Sequence, residues 1–247
     1  MATRLFERCV DAVNHLRSHR AAPWIGVAFI AIALVILPFV LVSVGTAWVR
    51  ITNLAILFAL LSLGLNIVVG FAGLLDLGYI AFYAVGAYCY ALLASPHFGL
   101  HLPFWIILPI GAAVACLFGV LLGAPTLKLR GDYLAIVTLG FGEIVRVFLN
   151  YLSQPFNITN GPQGVTLIDP FRIGSFDLGR SENIAGLTFN SPVKYYYLLL
   201  LFLVVVLVVN MRLQDSRIGR AWQAIREDEI AARAMGINTT AIKLLAF

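Results

Sequence analysis

Six apolar segments follow one another along the chain, and this succession limits the fold more than any other feature. They cover approximately residues 24–45, 51–70, 79–95, 104–123, 134–152 and 195–211. A helix of about 20 apolar residues crosses the hydrocarbon layer of a bilayer. Charged residues make up only 12% of the 247 residues, against about 25% in soluble domains. The sequence therefore predicts an all-α, polytopic transmembrane helical bundle with about six spans.

The first apolar segment has two interpretations. It follows four arginines, and Gly45-Thr46-Ala47 resembles the cleavage site of a secretory signal peptide. The apolar region of a signal peptide, however, is only about 7–15 residues long. Since residues 24–45 form a longer run, we expect a retained membrane anchor.

The distribution of basic residues predicts the orientation. Most of the 17 Lys and Arg residues face one side if the N-terminus lies in the cytoplasm, as the positive-inside rule requires. We then expect a cytoplasmic segment 1–23, a transmembrane region 24–211 and a cytoplasmic segment 212–247. The outer loop, about 153–193, is long and has turn signals at Asn160-Gly161-Pro162 and Asn190-Ser191-Pro192. Such a loop is a functional cover, partly helical, or an ordinary surface loop.

A glycine-broken stretch, 70–78, lies between the second and third apolar segments. It is too short to span, and broken backbone at membrane depth is tolerated only where protein or a water-lined cavity satisfies its polar groups. Asn66 and Asp76 flank this stretch. Either residue could line a pathway, although capping of a helix end is the commoner role for these residue types.

Two charges lie within the fifth apolar segment. Glu143 and Arg146 are three residues apart, a spacing that permits an ion pair on one helix face. The pair either lines a polar path or is a self-neutralised structural element, and the pairing favours the structural interpretation. Small residues at every fourth position, Ala115, Gly119 and Gly123, predict close helix packing in the fourth segment.

The sequence contains no catalytic constellation. The histidines form two i, i+4 pairs, His15 with His19 and His97 with His101, but further metal ligands are missing around both pairs. Cys9, Cys89 and Cys116 are far apart and predict free thiols.

A phosphate-binding Gly-x-x-x-x-Gly-Lys-Ser/Thr loop is also missing from the chain. We therefore expect no enzyme activity, no metal and no cofactor on this chain. We also expect no nucleic-acid partner, because the basic residues are not interleaved with stacking aromatics.

The charged segment 216–236 follows the last apolar run. Ile218, Trp222 and Ile225 lie on one helical face, whereas its charged residues lie off that stripe. Gly236 predicts the end of the helix. From these residues alone, the segment is either a solvated helix near anionic lipid headgroups or a docking surface.

Four ordered blocks carry a resemblance to a known family. They are Gly64–Gly73, Leu77–Tyr88, Leu129–Arg146 and Ser216–Gly236. These blocks resemble LivM-type permease subunits of the branched-chain amino-acid family of ATP-binding-cassette importers.

In that family, the loop matching 216–236 docks on the ATPase subunit. The resemblance therefore implies docking residues Gly219, Arg220, Trp222, Ile225, Arg226, Glu227, Asp228, Glu229 and Gly236. We expect Trp222 to be the apolar anchor, with Arg226 and Glu227 to Glu229 as the charged rim.

The resemblance also implies a function. Such permeases import leucine, isoleucine and valine across the bacterial inner membrane, together with a homologous second permease subunit, ATPase subunits and a periplasmic binding protein. Urea or short amides are an alternative cargo for the same machinery. An ion-coupled carrier or a simple membrane anchor is less consistent with the four blocks. Members of the family continue into further spans beyond the position of Phe247, so we expect this chain to be part of a longer protein.

Overall fold

The computed structural model describes residues 22–96, 99–126, 132–152, 159–173, 176–179, 182–184 and 187–247. Most of these residues are helical, which confirms the predicted all-α membrane bundle. The helices are α1 Ala22–Val44, α2 Thr46–Leu65, α3 Ile80–Leu93, α4 Phe104–Thr126, α5 Asp132–Tyr151, α6 Ser191–Gln214, α7 Arg217–Glu227, α8 Glu229–Ala234 and α9 Thr239–Leu244. A π-helical segment, Asn66–Phe71, continues α2.

Four helices of the described chain are long and apolar enough to cross a membrane. They are Thr46–Phe71, Phe104–Gly123, Tyr133–Tyr151 and Ser191–Gln214. Ala28–Val44 and Ile80–Leu93 are shorter apolar helices. The 14 residues of α3 extend about 21 Å, less than the roughly 30 Å of the hydrocarbon layer. The third predicted span is therefore helical but does not cross the layer by itself, because the broken stretch occupies the preceding residues.

Helices α1, α2 and α6 pack around a small core of Val49, Ile56, Val193 and Tyr196. Pro38 lies inside α1, and a proline cannot donate to the carbonyl four residues earlier. That carbonyl belongs to Leu34, and Tyr196 Oη donates to it at 2.8 Å. The α6 tyrosine thus satisfies a backbone acceptor that would be costly to leave unpaired in lipid.

Helices α2 and α6 run parallel and are joined near both ends by asparagines. Asn53 Nδ2 donates to the Pro192 carbonyl at 2.9 Å. Asn210 Nδ2 donates to the Leu63 carbonyl at 3.1 Å. These two bonds fix the register of the pair, so that both helices end on the same side of the bundle.

The remaining spans form a second group in which α3 packs against α4 and α5. The small-residue face of α4 is closely packed, as predicted, and its neighbour is the C-terminal part of the chain. A Cβ atom at Gly123 would lie 2.9 Å from Leu244 Cδ1, and one at Gly119 would lie 3.2 Å from the Phe247 carbonyl oxygen. Helix α9 therefore lies directly on α4.

The described part of the outer loop contains little helix. A 3-10 turn covers Gly161–Gln163, and two antiparallel hairpins pair Arg172–Ile173 (β1) with Phe176–Asp177 (β2) and Glu182–Ile184 (β3) with Leu187–Phe189 (β4). The expectation of a partly helical loop is met only by the 3-10 turn.

Phe171 holds this loop to the start of α4. Its ring centroid lies 4.2 Å from that of Phe104 in a T-shaped contact. The Asp169 amide also donates to the Ala94 carbonyl at 2.8 Å. The loop is therefore packed against the C-terminal end of α3 and the start of α4.

Candidate functional site

Residues 217–247 fold into a compact unit of three short helices, the α7–α9 module, at the end of α6. Ser216 forms the junction, because its Oγ accepts from the Gly219 amide at 3.1 Å and donates to the Leu213 carbonyl at 2.7 Å. A Cβ atom at Gly219 would lie 2.2 Å from that same carbonyl oxygen. Gly219, a predicted docking residue, therefore allows α7 to turn directly against the end of α6.

The predicted apolar stripe of α7 faces inward. Trp222 and Ile225 are 2% and 5% exposed, and Ile218 packs at the edge of the same core. The Trp222 indole lies against Phe71 and Ala72, and its Nε1 donates to the Ile242 carbonyl at 2.7 Å. The role of Trp222 as the apolar anchor for docking stays a prediction, although within this chain its ring is already covered. Trp222 holds the module to the broken stretch.

Two of the expected rim charges act inside the module. Asp228 caps α8, and its Oδ1 accepts from the amides of Ile230 (2.8 Å) and Ala231 (3.1 Å). Glu229 pairs with Lys243 at 2.6 Å and with Arg233 at 3.2 Å. The hydrogen bond from Lys243 is the main reason that the pKa of Glu229 is lowered. Glu229 thus joins α8 to α9 through Lys243.

The other predicted docking residues have varied positions. Glu227 is exposed, and Arg220 Nη1 donates to the Asp215 carbonyl at 2.8 Å across the junction with α6. Gly236 has a φ of +84° and follows α8, which confirms the predicted helix stop. The docking role of the segment as a whole stays a prediction.

Two apolar side chains project from α8 that the sequence analysis did not single out. Ile230 is 80% exposed and Met235 is 83% exposed, and in the same module Leu245 is 57% exposed. Ile230 is the second residue of α8, and Met235 is its C-cap residue. The sequence offered one signal for their exposure. They do not belong to the stripe of Ile218, Trp222 and Ile225, which packs inside the module.

Arg226 connects the module to the broken stretch. Its Nη1 donates to the Gly70 carbonyl at 2.5 Å, and its side-chain carbons lie over Gly73, where a Cβ atom would be 2.7 Å from Arg226 Cγ. Gly73 has a φ of +69°, a conformation that favours glycine. A predicted docking residue is therefore also the clamp on the end of the π-helical segment.

The opposite side of the broken stretch contacts α5. The Leu77 amide donates to Thr138 Oγ1 at 3.0 Å, and Thr138 is fully buried. Asp76 is 2% exposed, and its Oδ1 accepts from the Gly78 amide at 2.8 Å. Asp76 thus forms a turn just before α3, a structural role close to the predicted cap. Asn66 is exposed at the start of the π-helical segment, with its Oδ1 beside Gly70.

Glu143 and Arg146 form the predicted ion pair on α5. Arg146 Nε donates to both Glu143 carboxylate oxygens, at 3.1 and 3.0 Å. Both side chains are more than half exposed and border a groove of about 320 Å³ between α3 and α5. The pair is therefore neutralised, as the structural interpretation requires, but it is not buried within the described chain.

The described residues contain no group of three His, Cys, Asp or Glu side chains that could hold a metal. His101 Nδ1 lies 2.6 Å from Asp169 Oδ2, while His15, His19 and His97 are outside the described residues. Cys89 and Cys116 are free thiols, and Cys9 is likewise outside the described part.

The long apolar helices of the bundle define the class of multi-pass integral membrane proteins. The family model described as "Branched-chain amino acid transport system / permease component" matches residues 47–247. The chain belongs to this family. The members of this family are permease components of transport systems.

Two curated relatives are similar to the chain over most of its length. Both are high-affinity branched-chain amino acid transport system permease proteins LivM, from Salmonella typhimurium (strain LT2) and Escherichia coli (strain K12). Each is 46% identical over 222 residues, which is 85% of this chain and 50% of the relative. The chain thus spans about half the length of the curated relatives it matches. No solved structure matches it.

Proposed function

We propose that this chain is part of the membrane permease subunit of an ATP-driven, binding-protein-dependent importer of branched-chain amino acids. The observation that carries the proposal is the clamp between the α7–α9 module and the broken helix, found in a chain that is 46% identical to two LivM permeases. The energy comes from a separate ATPase subunit, since this sequence lacks a phosphate-binding loop. No cofactor is needed on this chain.

The module is the docking element for the ATPase subunit. The excess of basic residues on its side of the bundle supports a cytoplasmic position, with the N-terminus on the same side. Ile230 and Met235 supply the exposed apolar contacts, and Glu227 and Arg226 supply charge beside them. A central apolar contact with a polar rim is the usual composition of a stable protein interface.

A continuous path of contacts leads from this surface into the spans. Trp222 packs on Phe71 and Arg226 bonds to Gly70, so a movement of α7 displaces the end of the π-helical segment. The broken stretch is bonded in turn to Thr138 of α5. Closure of the ATPase dimer would therefore reposition α5 and α3, which is a shift of packed helices of the kind found in conformational switches.

The remaining partners occupy other surfaces. A homologous second permease subunit and lipid cover the exposed apolar faces of the long helices, such as those of Ile136, Ile144 and Phe148 on α5. A periplasmic binding protein meets the outer loop, whose described part is packed against α3 and α4. The bacterial inner membrane is the location that fits these partners.

Uptake of radiolabelled leucine tests the proposal. In cells lacking the gene, leucine uptake is expected to fall and to recover when the complete gene is restored. Urea uptake is measured in parallel in the same cells. If leucine uptake is unchanged and urea uptake is lost, the same kind of importer carries urea instead of leucine. If neither uptake changes, the proposal is contradicted.

A further inference from the structure

We infer that the groove between α3 and α5 is a binding site for the zwitterionic head of an α-amino acid, with Glu143 and Arg146 as its polar ligands. This inference rests on the proposed import function and adds the residues that contact the cargo. The groove has a volume of about 320 Å³, at the lower end of the range typical of small-molecule sites.

The depth of the pair in the membrane is the first argument. Glu143 lies about 16 Å along α5 from Asp132 and about 12 Å from Tyr151, at 1.5 Å per residue. Glu143 is therefore the deep charge of the pair, whereas Arg146, about 7.5 Å from Tyr151 along the helix, is close enough to the helix end for its long side chain to reach the headgroups. Charged side chains at this depth face a protein interior or a water-filled cavity and commonly mark a substrate path.

The neutrality of the pair is the second argument. Glu143 and Arg146 neutralise each other, so the pair carries no net charge. An α-amino acid also carries no net charge, and its ammonium and carboxylate groups complement Glu143 and Arg146 respectively. Its entry would exchange one ion pair for two without leaving an unpaired charge, whereas an anion or a cation would leave one.

The walls of the groove supply the third argument. Leu77 and Ile80 come from the end of the broken stretch and the start of α3, and Leu139 and Leu149 come from α5. These side chains offer an apolar surface beside the charged pair, which suits an amino acid with an aliphatic side chain. Leu77 is also bonded through its amide to Thr138, so the groove adjoins the path of contacts that begins at the module.

The test measures leucine uptake by the complete transporter with substitutions in the pair. Glu143→Gln and Arg146→Gln are each expected to lower uptake by about ten- to a hundredfold, the effect of losing a hydrogen bond to a charged group. The amount of assembled complex is measured in parallel, so that uptake is expressed per assembled transporter. Arg50→Gln, an exposed arginine on α2 away from the groove, is the matched control.

A charge exchange separates a ligand-binding role from a structural one. The double variant Glu143→Arg/Arg146→Glu keeps the neutral i, i+3 pair but reverses the positions of the two charges. We expect it to assemble and to remain inactive, because the amino acid would meet the wrong charge at each end. Normal leucine uptake by this variant would overturn the inference and leave the proposed function intact. Absence of leucine uptake by the wild-type transporter, in contrast, would contradict the proposed function itself.

A second measurement leaves the pair untouched, in case its variants fail to assemble. Ala84→Cys places a thiol on the α3 wall of the groove, in a background with the three native cysteines replaced. Leucine is expected to slow modification of this thiol by a membrane-permeant reagent, and urea is not. Equal rates with and without leucine would overturn the inference. A thiol that never reacts in the assembled complex would also overturn it, because a neighbouring helix would then fill the groove.

Discussion

Arg226 reaches from α7 to Gly70, where its Nη1 donates a hydrogen bond of 2.5 Å to the carbonyl oxygen at the end of the π-helical segment. The residues are 156 positions apart in the sequence. This bond joins a charged surface helix to a membrane helix at the point where that helix breaks. The backbone at such a break needs partners, so one guanidinium both satisfies the break and ties it to the module.

Replacement of Arg226 is expected to weaken coupling more than docking. In Arg226→Ala, Trp222 still holds the module in place, so the ATPase subunit should still bind. Loss of the hydrogen bond to the Gly70 carbonyl weakens the link between the module and the broken stretch by about 1 kcal/mol. Leucine uptake per ATP hydrolysed should therefore fall several-fold. The measurement is uptake and ATP hydrolysis in proteoliposomes, with Arg217→Ala, an exposed arginine of the same helix, as the control. A parallel loss of both activities would contradict this prediction.

A side chain at Gly73 is expected to disturb the same contact from the other side. In Gly73→Ala, the new Cβ atom would lie 2.7 Å from Arg226 Cγ at a φ of +69°, and the left-handed conformation alone costs about 1–2 kcal/mol. The melting temperature of the purified chain should fall. Gly86→Ala is the control, because Gly86 lies within α3 and nothing lies within 4 Å of its Cβ position. An unchanged or higher melting temperature for Gly73→Ala would be the contrary result.

The exposed and buried apolar residues of the module are expected to behave differently. The double variant Ile230→Ser/Met235→Ser should reduce copurification of the ATPase subunit without changing the melting temperature, since both side chains are more than three-quarters exposed. Trp222→Ala should instead destabilise the chain by about 3–5 kcal/mol, and copurification would be lost only as a consequence. Intact binding of the ATPase subunit by the Ile230/Met235 variant would show that the docking surface lies elsewhere.

Acidification is expected to loosen α8 from α9 through Glu229. The hydrogen bond from Lys243 lowers the pKa of Glu229 below its ordinary value of 4.5. A lowered pKa in the folded state contributes stability above the ordinary value, and this contribution disappears as the pH falls through the lowered one. The protection of the α8 and α9 amides, taken as the exchange rate relative to the intrinsic rate at each pH, should therefore decrease below about pH 4.5. Glu229→Gln should show low protection at every pH, and Glu227→Gln, at an exposed site, should match the wild type.

The bond between Tyr196 and Leu34 is expected to depend on Pro38. Tyr196→Phe leaves the Leu34 carbonyl unpaired and should cost about 0.6–1.7 kcal/mol, the range for hydrogen bonds between membrane helices. In a Pro38→Ala background, the amide of residue 38 can bond to that carbonyl, so the same substitution should cost less. Unfolding of the four chains in detergent gives the coupling free energy. Additive effects would show that the tyrosine does not replace the missing helical bond.

Apolar length and turn residues were sufficient to predict the helices and the break. Runs of about 20 apolar residues must become helices in lipid, because only a helix satisfies their backbone internally. Gly236 and the glycines of 70–78 mark positions where local geometry ends a helix. For the same local reason, the i, i+3 spacing of Glu143 and Arg146 correctly predicted their ion pair.

The sequence by itself determined which segments are helical and which face of α7 is apolar. It predicted the stop at Gly236 but not the break at Asp228, whose extended backbone separates α7 from α8. It did not determine what that face contacts, since periodicity does not distinguish a surface that meets a partner from one that is covered by the same chain. Only the tertiary structure placed Trp222 against Phe71, brought Arg226 to Gly70 and bonded Leu77 to Thr138. The hydrogen bond between Leu77 and Thr138 joins residues 61 positions apart, and the one between Arg226 and Gly70 joins residues 156 positions apart. They depend on how the helices pack together, which local propensity and spacing do not encode.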